Sequence, residues 1–180
     1  MRYLLISDTH GDQGSVERVL QICGRVEQVF HGGDVLGGRI GKGPDPFALY
    51  LAALPKFTAV RGNCDFPQDG REEGLDLSQE LRLEAFDGRL ILMHHGHRYN
   101  FKQLLEKAKS LGAEVVLSGH SHRKELFKTQ GIIFVNPGST ARPRDGIASF
   151  ALYQDGSFAL VDLYTGQVLA RKSFTDADDF

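Results

Sequence analysis

The chain has 180 residues, 41% of them apolar and 24% charged, a balance that excludes disordered and fibrous classes and suits one globular unit with a substantial core. Its 21 basic and 23 acidic side chains leave a formal charge of −2, which provides no broad cationic face for sequence-independent binding to nucleic acid. The two cysteines, Cys23 and Cys64, form neither a disulfide framework nor a C-x-x-C zinc site and suit a reducing compartment.

In chain order, residues 3–7 read as a short buried strand, followed by the turn Asp8-Thr9-His10-Gly11-Asp12 and a helix carrying Val16, Val19, Leu20 and Cys23 on one face. The unit recurs. Residues 28–31 are a second strand, and Phe47, Tyr50, Leu51 and Leu54 repeat the i, i+3, i+4, i+7 spacing before Pro55 ends that helix. Residues 56–60 make a third strand. Such a β-α-β-α-β opening predicts parallel strands covered by helices, with ligands gathered at the carboxyl ends of the strands. Asp8, Asp34 and Asn63 each follow one of the three strands directly.

The second half predicts another sheet. Residues 80–86 and 89–94 flank Asp87-Gly88, a hairpin signal, and a helix with Phe101, Leu104, Leu105 and Ala108 follows. Strands are expected at 114–117, 124–129 and 132–135, and the turns Asp155-Gly156 and Thr165-Gly166 separate three more apolar runs. Residues 1–175 are read as a single domain and the acidic tail 176–180 as frayed. The Gly- and Pro-rich segment 37–46 suits a rim over a site, or a surface connection. The first apolar run meets Ser7-Asp8 too early for a signal-peptide core, and no later run could span a bilayer, so a cytoplasmic protein is expected.

Five islands carry the chemistry: Asp8-Thr9-His10, Gly33-Asp34, Gly62-Asn63-Cys64-Asp65, His94-His95-Gly96-His97 and Gly119-His120-Ser121-His122. Each alone has an ordinary explanation as a turn or a solvated loop. Five such loops in one small domain, each at a strand end, point instead to a divalent-metal centre. Mixed imidazole and oxygen donors suit Mn, Fe, Zn, Co or Ni better than Ca or Mg alone. A carboxylate such as Asp34 has two oxygens and can bridge two cations. His94 and His95 are adjacent, so strand alternation sends them to opposite faces and only one can enter the site. His31 reads as a structural histidine.

The ordered set D-x-H, GD, GN, HGH and GHSH resembles the calcineurin-like metallophosphoesterase superfamily. Arg61-Gly62-Asn63-Cys64-Asp65, His95-Gly96-His97 and Asn136-Pro137-Gly138-Ser139 resemble its small prokaryotic phosphodiesterase branch, over residues 3–139. The resemblance implies a four-layer α/β/β/α sandwich of two mixed sheets. It also implies two divalent cations, Mn foremost, with Ni, Fe, Co, Zn or Mg as alternatives. Asp8, His10 and His122 would hold the first, Asn63, His95 and His120 the second, and Asp34 would bridge them. A water shared by both cations would lose its proton near neutral pH and attack phosphorus in line. Cys64 stands where the wider superfamily commonly has a histidine able to protonate the leaving oxygen. A thiol is a poorer acid for that step, which tilts the expectation towards diesters.

His97 is expected to reach substrate or to orient a ligand, Asp65 to orient a histidine, and Asn136 to Ser139 to shape the wall. The rival readings are a phosphomonoesterase, including a protein phosphatase, and a scaffold resembling a retromer subunit. The near-neutral charge argues against nucleic acid as substrate, and an exposed edge in the second sheet would permit a homo-oligomer.

Overall fold

A computed structural model describes residues 1–37 and 44–180. Of the segment 37–46 expected as a rim, residues 38–43 lie outside the described residues. The elements run β1 (Arg2–Ile6), α1 (Gln13–Cys23), β2 (Gln28–His31), α2 (Pro46–Ala52), β3 (Phe57–Ala59), β4 (Leu81–Phe86), β5 (Arg89–His94) and α3 (Phe101–Leu111). They continue with β6 (Val115–Leu117), β7 (Lys124–Thr129), β8 (Ile132–Pro137), β9 (Ser149–Gln154), β10 (Ser157–Asp162) and β11 (Val168–Ser173).

Two mixed sheets form, one ordered β11-β10-β9-β1-β2-β3 and the other β4-β5-β6-β8-β7. β1 runs parallel to β2 and β2 to β3, while β9 joins β1 antiparallel. Alternation along the central strands divides the interior into layers. Leu4 and Ile6 face one way, packing with Val16, Val19, Phe47 and Leu51 of α1 and α2. Tyr3 and Leu5 face the other way, meeting Ile91, Met93, Val115, Leu117, Ile133 and Val135 of the second sheet. Leu92, Val116 and Phe134 on the outer face of that sheet take Leu104, Leu105 and Ala108 of α3. Both faces of β1 and β6 are thus covered, which is why they read as unbroken apolar runs. The result is the expected four-layer α/β/β/α sandwich.

Local chemistry sets the element ends. Asp12 caps α1 by accepting from the Ser15 amide at 3.1 Å. Asn100 and Gln103 form a reciprocal capping box on α3. Asp87 and Gly88 both have positive φ, 46° and 74°, the turn that a two-residue hairpin between β4 and β5 requires. The second helix stops at Ala52, earlier than its apolar spacing to Leu54 predicted, because the chain turns there and Leu54 packs against the core from outside the helix.

The tail corrects the expectation that it frays. β7 is an edge strand whose outer backbone groups need partners, and nearby lysines offer charge to the acidic residues. The Asp179 amide donates to the Lys128 carbonyl at 2.7 Å, while Asp179 Oδ2 accepts from the Lys128 amide at 2.7 Å and its Oδ1 meets Lys172 Nζ at 2.7 Å. Thr129 Oγ1 donates to the Phe180 carbonyl, and the Phe180 ring rests 5.2 Å from Phe127. Among the described residues no helix is long and apolar enough to cross a membrane.

Candidate metal centre

The loops after β1 and β2 stay zipped beyond the strands. The amides of Asp8, His10 and Gly11 donate to the carbonyls of Gly33, Asp34 and Val35 at 3.0, 3.0 and 2.9 Å. This fixes the side chains of Asp8, His10 and Asp34 relative to one another. Among the described residues nine non-glycine positions have positive φ, and five are predicted ligands: Asp8 (53°), His10 (47°), Asp34 (54°), His120 (66°) and His122 (55°). Left-handed backbone costs a side-chain-bearing residue on the order of 1 kcal/mol, and Asp and His tolerate it better than most. Its concentration in these loops is the mark of a functional site held in place by its surroundings.

One ligand atom from each of Asp8, His10, Asp34 and His122 lies within 4.8 Å of the others. Hydrogen bonds show what they lack. His122 Nδ1 donates to the Arg142 carbonyl at 2.7 Å, which in the neutral imidazole leaves the Nε2 lone pair free to ligate. That lone pair faces Asp8 Oδ1 at 3.1 Å and His10 Nε2 at 3.3 Å. Asp8 Oδ2 accepts from Ser7 Oγ at 2.7 Å and the His120 amide at 3.1 Å, yet the buried Oδ1 has no hydrogen-bond donor. Acceptors converging on one point without a donor fit a divalent cation.

A second set lies across Asp34. His95 Nδ1 donates to the Gly32 carbonyl at 2.8 Å, leaving Nε2 to face Asn63 Oδ1 at 3.2 Å and Asp34 Oδ1 at 3.4 Å. Asp34 Oδ2 looks the other way, 3.8 Å from His10 Nε2. The two oxygens of one buried carboxylate therefore address the two sets. The His120 ring stands 5.2 Å from that of His95 and lines the same cleft.

Electrostatics agree. Burial works against charge on both Asp34 and His95, but their mutual attraction prevails and holds Asp34 below the usual carboxylate range and His95 above the usual imidazole range. The site demands positive charge beside Asp34, from a proton or from a cation. Burial pushes the Asp8 carboxyl up and pulls His10 down to about 4, so His10 is neutral and able to ligate at physiological pH.

Of the adjacent pair, His95 enters the site. His94 turns away, accepting from the Gly96 amide at 2.8 Å and packing 4.7 Å from Tyr99. His31 is structural: Nδ1 accepts from the Gly33 amide at 3.1 Å and Nε2 meets Thr9 Oγ1 at 2.9 Å. Asp65 corrects its expected role, because it touches no histidine. Its carboxylate accepts from the amides of Val35, Leu36 and Gly62 at 2.8, 3.2 and 2.9 Å, tying the Asp34 loop to the Asn63 turn. His97 lies 5.4 and 6.2 Å ring to ring from His95 and His120, but its buried Nδ1 bonds to neither. Cys64 bonds Asp34 Oδ1 through its amide, at 2.8 Å.

The profile of the calcineurin-like phosphoesterase superfamily domain matches residues 1–157. The chain is a calcineurin-like phosphoesterase. This phosphoesterase is 33% identical over 149 residues to "Probable metallophosphoesterase YsnB" of Bacillus subtilis (strain 168), spanning 80% of its own length and 78% of the relative's. It is 25% identical over 181 residues to "Phosphodiesterase YfcE" of Escherichia coli (strain K12), with 95% and 97% of the two chains covered. The solved structure of the E. coli phosphoesterase YfcE superposes with a TM-score of 0.80 at 23% identity, covering 97% and 100%. That of zinc-bound Vps29 from Entamoeba histolytica gives 0.70 at 24%, covering 97% and 99%. The phosphoesterase belongs to the small YfcE-like prokaryotic branch and is a metal-dependent hydrolase of phosphoric esters.

Its site opens into a cleft of about 460 Å³ lined by His10, Asp34, Asn63, Cys64, His120 and His122 together with Arg142, Pro143 and Arg144. The last three carried no motif signal, and only the fold brings them here. Ser139, from the Asn136-Pro137-Gly138-Ser139 run, supports this wall: its Oγ donates to the Asp8 carbonyl at 2.7 Å and accepts from the Arg142 amide at 2.8 Å.

Proposed function

We propose that this phosphoesterase is a phosphodiesterase using two divalent cations, manganese foremost, with Asp34 shared between them. Asp8, His10 and His122 would hold one cation and Asn63, His95 and His120 the other. The observation that carries the reading is the pair of opposed Asp34 oxygens, Oδ2 lying 3.8 Å from His10 Nε2 and Oδ1 lying 3.4 Å from His95 Nε2. Such cations supply Lewis-acid charge that polarises a phosphoryl group and makes water nucleophilic near neutral pH.

The chain's own residues restrict the ester. Burial and then the Asp34 carboxylate push the Cys64 thiol up to about 11, so it keeps its proton at neutral pH and is slow to release it to a departing oxygen. Esters whose leaving group needs little protonation, such as aryl diesters, suit that wall of the cleft. We assign His97, 6.2 Å ring to ring from His120, a contact with substrate. The "Phosphodiesterase" name of the YfcE relative points the same way. The two unpaired thiols suit the cytoplasm.

Likeness to Vps29 raises the alternative of a partner-binding scaffold, but all seven predicted ligand positions here are filled by donor side chains. A chelator-stripped preparation reloaded singly with Mn, Ni, Co, Zn or Mg is expected to recover hydrolysis of a bis-aryl phosphate diester over its monoester, with Asp34→Asn inactive. Full metal content and turnover in Asp34→Asn would refute the bridging role. Preference for the monoester would replace the diesterase reading, and bound metal without cleavage of either ester would favour the scaffold.

A further inference from the structure

Two side chains of the cleft are chemically idle in the scheme above. Arg142 and Arg144 are exposed, flank Pro143 and line the cleft with His10, Asp34 and His120. Among the described residues neither guanidinium has an ion-pair or hydrogen-bond partner, although neighbouring cations are engaged. Lys124 Nζ is 2.7 Å from Asp145 and Arg98 Nε is 2.7 Å from Glu80.

The backbone that displays them is fixed to the metal centre. The Arg142 amide donates to Ser139 Oγ at 2.8 Å, the Arg142 carbonyl accepts from His122 Nδ1 at 2.7 Å, and the Arg144 amide donates to the His122 carbonyl at 2.9 Å. The backbone from which the two side chains spring is thus anchored beside the ligand cluster. A cleft of about 460 Å³ exceeds what one phosphate needs and falls in the size range of small-molecule sites. Cations held by the ligand cluster would answer the charge of the scissile phosphate, which would leave these two planar donors for a further anion.

We propose that Arg142 and Arg144 form a recognition arm for a second anionic group, so that the preferred substrates are small phosphodiesters bearing a further phosphate or carboxylate. The inference rests on the phosphodiesterase reading. Two free guanidiniums on a chain of net charge −2 match one additional anionic group rather than a long polyanion.

The test is equilibrium titration of the metal-loaded enzyme at low salt with propylphosphonate and 3-phosphonopropionate, non-hydrolysable probes that differ by one carboxylate. In the wild type the carboxylate is expected to tighten binding about tenfold, an advantage that shrinks as salt rises. In the double variant R142Q/R144Q the ratio of the two dissociation constants falls towards one, and R142K/R144K retains part of it. The inference is overturned if the wild type gains nothing from the carboxylate, or if the gain survives in R142Q/R144Q. Turnover of a bis-aryl diester by the same wild-type preparation reports separately on the diesterase reading, and its absence leaves the titration ratio to decide the arginines.

Discussion

Replacing Gly62 by alanine isolates a single steric contact beneath the metal centre. Gly62 does not lie in the left-handed region, so its backbone accepts alanine without torsional strain. A Cβ there would overlap Asp34 Oδ1 and the Asp34 amide nitrogen and lie 2.8 Å from Asp34 Cγ. Much of that obstruction is backbone, which rotation of the Asp34 side chain cannot relieve, so the whole loop must shift. Overpacking of this kind costs roughly 1–3 kcal/mol, or a fall in Tm of about 4–8 °C at mid-range for a domain of this size.

The larger effect is on metal. Asp34 faces both donor sets, and displacement of a ligating group by its support weakens metal binding by about 10–100-fold. Gly88→Ala separates the two contributions. At Gly88 a Cβ meets nothing within 4 Å but φ is +74°, so this variant incurs only left-handed strain of about 1–2 kcal/mol, far from the centre. Thermal unfolding in chelator, with metal content after equilibrium dialysis, distinguishes them. Both variants lose stability and Gly62→Ala alone loses metal. Wild-type metal affinity in Gly62→Ala, or equal loss in both, would refute the close-contact argument.

Two further outcomes follow from the packing. Burial first, then the charge of His95, lowers buried His31 to about 3, so between pH 6.5 and 3 the unfolded chain binds a proton there that the folded chain refuses. Stability is complete above pH 6.5 and declines as pH falls, by on the order of 5 kcal/mol from this group by pH 3. Denaturant titrations of the chelated protein should show a shallower acid decline for His31→Gln, and parallel curves would count against a neutral buried imidazole. Deleting residues 176–180 removes the partners of Lys128 and Thr129 and bares the β7 edge. Light scattering should then detect concentration-dependent association, and a truncated chain that stays monodisperse with unchanged Tm would show the tail to be incidental.

Much of the fold was legible because local and global signals agree. The apolar run after Arg2, the periodic faces at Val16–Val19 and Leu104–Leu105, and the Asp87-Gly88 turn each specify an element without help from distant residues. The two-residue alternation showed that His94 and His95 cannot share a site, but not which enters it, since that depends on which face of β5 meets the first sheet. Asp65 misled because a carboxylate beside Asn63 resembles a histidine partner in sequence, whereas two of its hydrogen bonds go to the amides of Val35 and Leu36, 30 and 29 positions away in the chain. Arg142 and Arg144 were invisible for a related reason: they reach the cleft through bonds to Ser139 and His122 that no local pattern encodes. The acidic tail read as frayed because its composition is polar, and composition does not reveal an unpaired strand edge beside two lysines.

The left-handed turns at Asp8, His10, Asp34, His120 and His122 also bear on how a cation is chosen. Backbone hydrogen bonds brace those loops against their neighbours. A receptacle braced by its own backbone would trade one cation for another without refolding, so occupancy would follow donor chemistry and the cell's supply of each element rather than a conformational checkpoint. Preparations grown in media of different metal content should therefore differ in the ion they carry while sharing one backbone.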